Sequence, residues 1–284
     1  MATSVGVIGL GVIGKPIAER LVKAGYDVSV FDVRAEPVAA LQSLGAAACA
    51  APADIAKRSE IIISLVSNEA QTDDVVSGAG GVLETLRAGS IFVTGSTLGP
   101  APACRIAQAL AQKGGEILDA PISGGYLAAS EGTLSLMIGG KPEILARAQP
   151  VLCAFARDIT HTGGIGTGQT AKLAHQLVFS LNVMALLEGL ALGAAGGVAP
   201  EALKQVLKQG LANSAVLQVW HDLGPRWKGM LEATAPGAAL PNMRKDLHLV
   251  LELARELGVN LHLGTQGSLI ADAGTATGHG DPRL

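Results

Sequence analysis

Short apolar runs alternate with longer amphipathic segments through the first half of the chain. Residues 5–8, 28–31, 61–65, 90–93 and 116–119 have strand length, and the stretches between them carry apolar residues at helical spacing. That rhythm predicts successive βαβ units and a parallel sheet. A further run at 133–138, just ahead of Gly139-Gly140, predicts added edge strands. The pattern then changes. After His161-Thr162-Gly163-Gly164-Ile165-Gly166-Thr167-Gly168 the strand-like runs stop, and residues 169–192 place apolar side chains at helical spacing over more than six turns. Further helices are predicted at 200–209, 216–223 and 247–257, with Pro and Gly between them. The expected fold is α/β: an N-terminal parallel-sheet domain over 1–163 and an all-α domain over 164–284.

The first strand runs into Gly9-Leu10-Gly11-Val12-Ile13-Gly14, and a helix-patterned stretch follows at 15–24. Gly9 permits the tight strand-to-helix turn, Gly11 lets the backbone approach a pyrophosphate, and Gly14 lets helix and strand pack closely. The phosphates then face the positive end of the helix. With 37 glycines in the chain this spacing alone is a weak signal. Its context strengthens it, because the next strand ends on Asp32, whose carboxylate suits a ribose diol. Residues 1–163 are therefore expected to form a Rossmann-type dinucleotide-binding domain, with substrate bound in the cleft between it and the all-α domain. A carboxylate at Asp32 repels the 2′-phosphate of NADP, so NAD is expected ahead of NADP. Arg34, two residues on, is placed to stack on adenine, to meet a phosphate, or simply to be a solvated loop charge.

Composition narrows the classes. A chain of 284 residues, 49% hydrophobic, can bury a sizeable core. Charged residues make up only 16%, against about 25% in ordinary soluble domains. Part of the surface is therefore expected to be covered by other subunits, as a homodimer or homotetramer. A net charge of −3 with 3% aromatics provides neither a basic stripe nor stacking platforms, so nucleic acid is not an expected partner. Cys49, Cys104 and Cys153 are odd in number and scattered, which suits neither a disulfide framework nor a metal site. A reducing cytoplasm is the expected location, and no export leader precedes the first strand. The most apolar stretch, 177–198, approaches membrane-span length but contains Ser180, Asn182 and Glu188, so it is expected to be a buried helix of a soluble protein and not a membrane span.

Four further motifs follow the glycine loop in order: Gly95-Ser96-Thr97-Leu98-Gly99-Pro100, Asp119-Ala120-Pro121-Ile122-Ser123-Gly124-Gly125, Gly166-Thr167-Gly168-Gln169-Thr170-Ala171-Lys172, and Lys245-Asp246-Leu247. With them the chain resembles, over essentially its whole length, the β-hydroxyacid dehydrogenases: 3-hydroxyisobutyrate dehydrogenases, tartronate semialdehyde reductases and the larger 6-phosphogluconate dehydrogenases. The resemblance implies an NAD(P)-dependent oxidoreductase acting on a small hydroxy acid or semialdehyde, with Lys172 as general acid and base. Elementary electrostatics agrees, since burial and a second cation such as Lys245 would disfavour a charged lysine.

The resemblance also implies substrate contacts at Ser96 and at Ser123-Gly124-Gly125, where a hydroxyl and bare backbone N–H groups can hold a carboxylate. It implies cofactor contacts along Gly9 to Gly14 (Leu10, Val12 and Ile13 included), at Asp32, Val33 and Arg34, at Val66, Ser67 and Gln71, and at Thr97 and Lys245. His175-Gln176 departs from the asparagine pair of many relatives. Gln176 lies one helical turn beyond Lys172 and is placed to reach a substrate oxygen, while His175 is either a second donor or a packing histidine. Thr94 stands where relatives often carry aspartate. Asp32-Val33-Arg34 differs from the Asn-Arg-Thr of NADP-preferring relatives. No spacing of His, Asp or Cys suggests a metal. Two alternatives remain open: an imine reductase-like NADPH enzyme and a non-catalytic dinucleotide-binding module.

Overall fold

A computed structural model describes residues 3–218 and 239–276, in two compact units divided between Lys172 and Leu173. The first unit is built on a nine-stranded sheet. Its strands are β1 (Ser4–Ile8), β2 (Asp27–Phe31), β3 (Ala47–Ala48), β4 (Ile61–Ser64), β5 (Ile91–Thr94), β6 (Glu116–Asp119), β7 (Ile122–Ser123), β8 (Leu134–Gly139) and β9 (Ala156–Gly163). The order is β3-β2-β1-β4-β5-β6-β8-β7, with β9 also paired to β8. Strands β1 to β6 are mutually parallel, β8 runs antiparallel to β6 and β7, and β9 is parallel to β8.

The apolar runs become strands because both sheet faces are covered. All of Ile61–Ser64 and Ile91–Thr94 is buried, as continuous apolar strands of a parallel sheet require. Helices α1 (Gly14–Lys23), α2 (Ala35–Gln42), α3 (Pro52–Arg58), α4 (Glu69–Ser77), α5 (Pro100–Ala111), α6 (Gly125–Glu131) and α7 (Pro142–Leu152) lie in the connections between strands. In α1 the stripe Ile17, Ala18 and Leu21 is fully buried with Val5, Val7 and Val30. Burying each large aliphatic side chain there contributes about 1.5–3 kcal/mol. The chain visits β2 and β3 on one side of β1 and β4 to β6 on the other. That places the switch in winding direction at the β1/β4 boundary, where ligands of such sheets bind beyond the strand C-termini.

The second unit is all-helical among the described residues: the body of α8 (Thr167–Ala195), α9 (Pro200–Gln209), α10 (Ala239–Glu256) and α11 (His262–Ala276). Small residues set its packing. A Cβ on Gly264 or Gly267 would press on Leu177, Leu181 and Met184 of α8, so α11 seats its glycines against those residues. Gly193 of α8 likewise faces Leu203 of α9.

The predicted strand and helix pattern is present, with differences that have physical causes. Strands β3 and β7 are two residues long, too short to carry a periodicity. Strand β9 is mostly exposed and polar, so it lacks apolar alternation, and His161 to Gly163 finish that strand. Helix α10 begins well before the predicted 247, α11 was not predicted, and the predicted 216–223 helix lies outside the described residues from 219 onward. The expectation that the apolar stretch after 177 is a buried helix is corrected. It is helical, and long and apolar enough to cross a membrane, but only 6% of its most apolar window is buried. Val178 and Leu192 are 59% and 77% exposed. The helix is apolar on more than one face, and the glycines of α11 pack on the line of Leu177, Leu181 and Met184.

Candidate active site

In the first unit the predicted cofactor residues gather at the C-terminal ends of β1, β2, β4 and β5. Gly9 leaves β1 with φ +88°, a left-handed conformation that favours glycine, and donates its N–H to the Phe31 carbonyl at 2.9 Å. A Cβ on Gly14, the first residue of α1, would overlap the Gly9 carbonyl oxygen. By contrast, a Cβ on Gly11 would meet nothing within 4 Å. The loop is tight where helix meets strand and open where a pyrophosphate would lie, at the positive end of α1. These residues fit a dinucleotide.

Asp32 sits just past β2. Its side chain is 7% exposed and accepts hydrogen bonds from the Leu10 N–H at 2.6 Å and the Arg34 N–H at 2.9 Å. Arg34 folds back so that its Nε lies 3.1 Å from the same carboxylate and its Nη2 donates to the Leu10 carbonyl at 3.2 Å. Arg34 is thus the ion-pair partner of Asp32, with its own side chain 60% exposed. Burial pushes the Asp32 carboxyl upward, but the Arg34 and Leu10 hydrogen bonds outweigh it and hold the group below the usual carboxylate range. Val33 is 91% exposed beside them.

Beyond β4, Val66 and Ser67 lead to α4, which Asn68 caps by accepting the Gln71 N–H at 2.9 Å. Gln71 answers by accepting the Ser67 N–H at 2.9 Å, which fixes this loop. Ser96, beyond β5, donates its hydroxyl to the Val66 carbonyl at 2.7 Å and so ties the β4 and β5 loops together. Thr97 follows in the same loop.

Helix α8 begins against these loops. Asp119, the last residue of β6, is fully buried and accepts the N–H groups of Gly166 and Gln169, each at 2.9 Å. Burial pushes its carboxyl above the usual range, against the pull of those N–H groups. The Gln169 side chain, also fully buried, accepts the Leu98 N–H and donates to the Ser96 carbonyl, both at 2.9 Å. Lys172, three residues further along α8, is 6% exposed. Ser123 closes β7, and Gly124 and Gly125 follow with φ +126° and +66°, making the turn into α6.

In the second unit, the Gln176 amide nitrogen donates to the buried Asp246, and Lys245 Nζ lies 3.1 Å from the same carboxylate. The His175 ring lies parallel to that of Phe179, with centroids 6.5 Å apart. The site residues thus form one group on the first unit and another on the second. Asp119 and Gln169 lie inside the quoted motifs, yet sequence reasoning gave them no role. The signal was there: an Asp closing a strand and a Gln in the first turn of a long apolar helix.

Comparison with known proteins places these features in a family. Residues 4–163 match the NAD binding domain of 6-phosphogluconate dehydrogenase, and residues 166–282 match the domain described as NAD-binding of NADP-dependent 3-hydroxyisobutyrate dehydrogenase. The chain is 34% identical over 277 residues to 2-(hydroxymethyl)glutarate dehydrogenase of Eubacterium barkeri, covering 97% of this chain and 90% of that one. It is 36% identical over 258 residues to 2-hydroxy-3-oxopropionate reductase of Escherichia coli, covering 90% and 86%. The crystal structure of 3-hydroxyisobutyrate dehydrogenase from Salmonella typhimurium matches with a TM-score of 0.84 at 29% identity, over 98% of this chain and 95% of that one. The chain belongs to the NAD(P)-dependent β-hydroxyacid dehydrogenase family of the 6-phosphogluconate dehydrogenase superfamily.

Proposed function

We propose that this protein is an NAD-dependent dehydrogenase of a small 3-hydroxy acid of the 3-hydroxyisobutyrate type, interconverting the acid and its semialdehyde. Residues 1–163 bind the dinucleotide, and residues 164–284 complete the substrate site and join subunits into a homodimer or homotetramer in the cytoplasm. The observation that carries the reading is Lys172, buried on a helix start tied to the ends of β5 and β6.

When bound, NAD supplies the hydride acceptor at C4 of its nicotinamide. Lys172 Nζ takes the proton from the substrate hydroxyl as the β-carbon loses hydride, and returns it in the reverse direction. Ser123, Gly124 and Gly125 hold the carboxylate, with Ser96, His175 and Gln176 lining the substrate. Gly9 to Gly14 take the pyrophosphate and Asp32 the adenosine ribose, with Val33 and Arg34 flanking it. Val66, Ser67, Gln71, Thr97 and Lys245 line the nicotinamide side. Orientation supplies much of the rate.

The test follows absorbance of reduced nicotinamide with NAD or NADP and a panel of 3-hydroxy acids, for the wild type and Lys172→Ala. NAD-dependent turnover that falls at least about 100-fold in the variant is the expected result. Turnover of a cyclic imine with NADPH and of no hydroxy acid would move the protein to imine reduction.

A further inference from the structure

We propose that Asp119 and Gln169 are positioning residues for the reaction, forming a two-point clamp that fixes the first turn of α8, and with it Lys172, on the ends of β5 and β6. The inference rests on the reading of Lys172 as the proton-transfer group.

The first point is the carboxylate. A helix start leaves N–H groups without intrahelical partners, and they are commonly satisfied by a side chain just before the helix. Here Thr167, the first residue of α8, turns its hydroxyl to the Gly164 carbonyl at 2.8 Å, and Asp119 takes the N–H groups of Gly166 and Gln169. A local cap would only start the helix. A cap delivered from the end of β6, 47 residues earlier, also fixes where the helix sits. The surroundings are shaped for it. A Cβ on Gly168 would stand 2.7 Å from Asp119 Oδ2 and 2.5 Å from the Met137 carbonyl oxygen, and one on Gly139 would overlap Asp119 Oδ1.

The second point is the amide. Gln169 reads both a carbonyl and an N–H of one loop, Ser96 O and Leu98 N, so a carboxylate of the same shape would set oxygen against the Ser96 carbonyl. Ser96 in turn donates to the Val66 carbonyl. A chain of hydrogen bonds thus joins the β4 loop, the β5 loop and the start of α8. Residues three apart share a helix face, so any slide or rotation of the first turn moves Lys172 with it. Misplacement of a reacting group by about 1 Å costs on the order of 100-fold in rate.

The experiment uses the full chain with NAD and 3-hydroxyisobutyrate, and compares Asp119→Asn, Gln169→Met and Lys172→Ala with the wild type. Gln169→Met keeps the buried volume and removes both amide bonds, so it is the variant to read if Asp119→Asn does not fold. Acetic anhydride labelling followed by mass spectrometry reports the placement of Lys172 without turnover, with the exposed Lys57 and Lys113 as controls. The expected result is a kcat lower by about 10- to 100-fold, KM and NAD affinity within about threefold, and Lys172 labelled faster while the controls are unchanged. Unchanged kcat and labelling would overturn the clamp, as would equal loss of NAD affinity with faster labelling at every lysine, which marks a merely structural role. If the wild type does not turn over, or Lys172→Ala turns over normally, the catalytic reading fails by itself. Lys172 labelling then decides the clamp: faster in Gln169→Met supports it, unchanged sinks it.

Discussion

The Asp32 carboxylate accepts three hydrogen bonds from Arg34, one from its backbone N–H at 2.9 Å and two from its guanidinium, at 3.1 Å from Nε and 3.3 Å from Nη2. Together with the Leu10 N–H, these bonds favour the charged form of Asp32 and set the posture of Arg34. On the proposed reading of Asp32 as the ribose ligand, its negative charge would repel a 2′-phosphate, and Arg34 is held where its charge is already matched.

Removing the carboxylate should therefore reverse both effects at once. In Asp32→Ala the Arg34 guanidinium loses its partner and becomes available to a phosphate, which it can bind in a forked geometry. The ratio of kcat/KM with NADP to that with NAD is expected to rise at least about tenfold, or roughly 1.4 kcal/mol of discrimination. An unchanged ratio would mean that Asp32 does not select the cofactor.

The same pair gives a pH dependence with a defined sign. The folded-state pKa of Asp32 lies below its unfolded value. Its stabilising contribution is therefore fully present above the ordinary carboxylate pKa and is lost as pH falls through the lowered folded value. The melting temperature of Asp32→Asn should lie below that of the wild type at pH 7, and the gap should narrow progressively below about pH 4. A gap that stays constant down to pH 3 would show that the charge contributes nothing.

The glycine loop and the parallel sheet were legible because each has a local signature: periodicity two or 3.6, and glycine where the backbone turns or approaches another segment. The partners of Asp32 were not. A carboxylate at that position can face a ribose or an arginine, and only the fold-back of Arg34 decides which it meets first. Asp119 and Gln169 were invisible as positioning groups for another reason. Their partners, Gly166 N–H and the Ser96–Leu98 loop, lie 47 and more than 70 residues away in sequence. The exposure of α8 escaped for a third, since an apolar helix looks the same in sequence whether its second face is covered by its own chain or by another.

The close approach at Gly14 is testable by one methyl group. A Cβ there would overlap the Gly9 carbonyl oxygen, which is backbone at the end of a buried strand and cannot swing aside. Gly14→Ala is expected to cost about 2–3 kcal/mol in denaturant unfolding and to weaken NAD binding. Gly11→Ala makes the contrasting case, because its Cβ meets nothing within 4 Å. That variant should keep wild-type stability and lose NAD affinity through contact with the pyrophosphate alone.

Helix α8 predicts assembly. Its line Leu177, Leu181 and Met184 faces the glycines of α11, while Val178, Ala185 and Leu192 repeat every seven residues on an exposed line. A heptad of apolar residues with a small one at its centre suits the seam between two helices. A helix apolar on both faces does not usually stay in water. Elsewhere in the same unit Val206, Leu263, Leu269 and Ile270 are also exposed, from 48% to 70%. The wild type is therefore expected to sediment as a dimer or tetramer at micromolar concentration, and Val178→Glu/Leu192→Glu to shift it toward monomer while NAD binding to the first unit persists. A wild type that sediments as monomer would remove the oligomer, and one recovered only with detergent or lipid vesicles would turn the same apolar face into a membrane-binding surface.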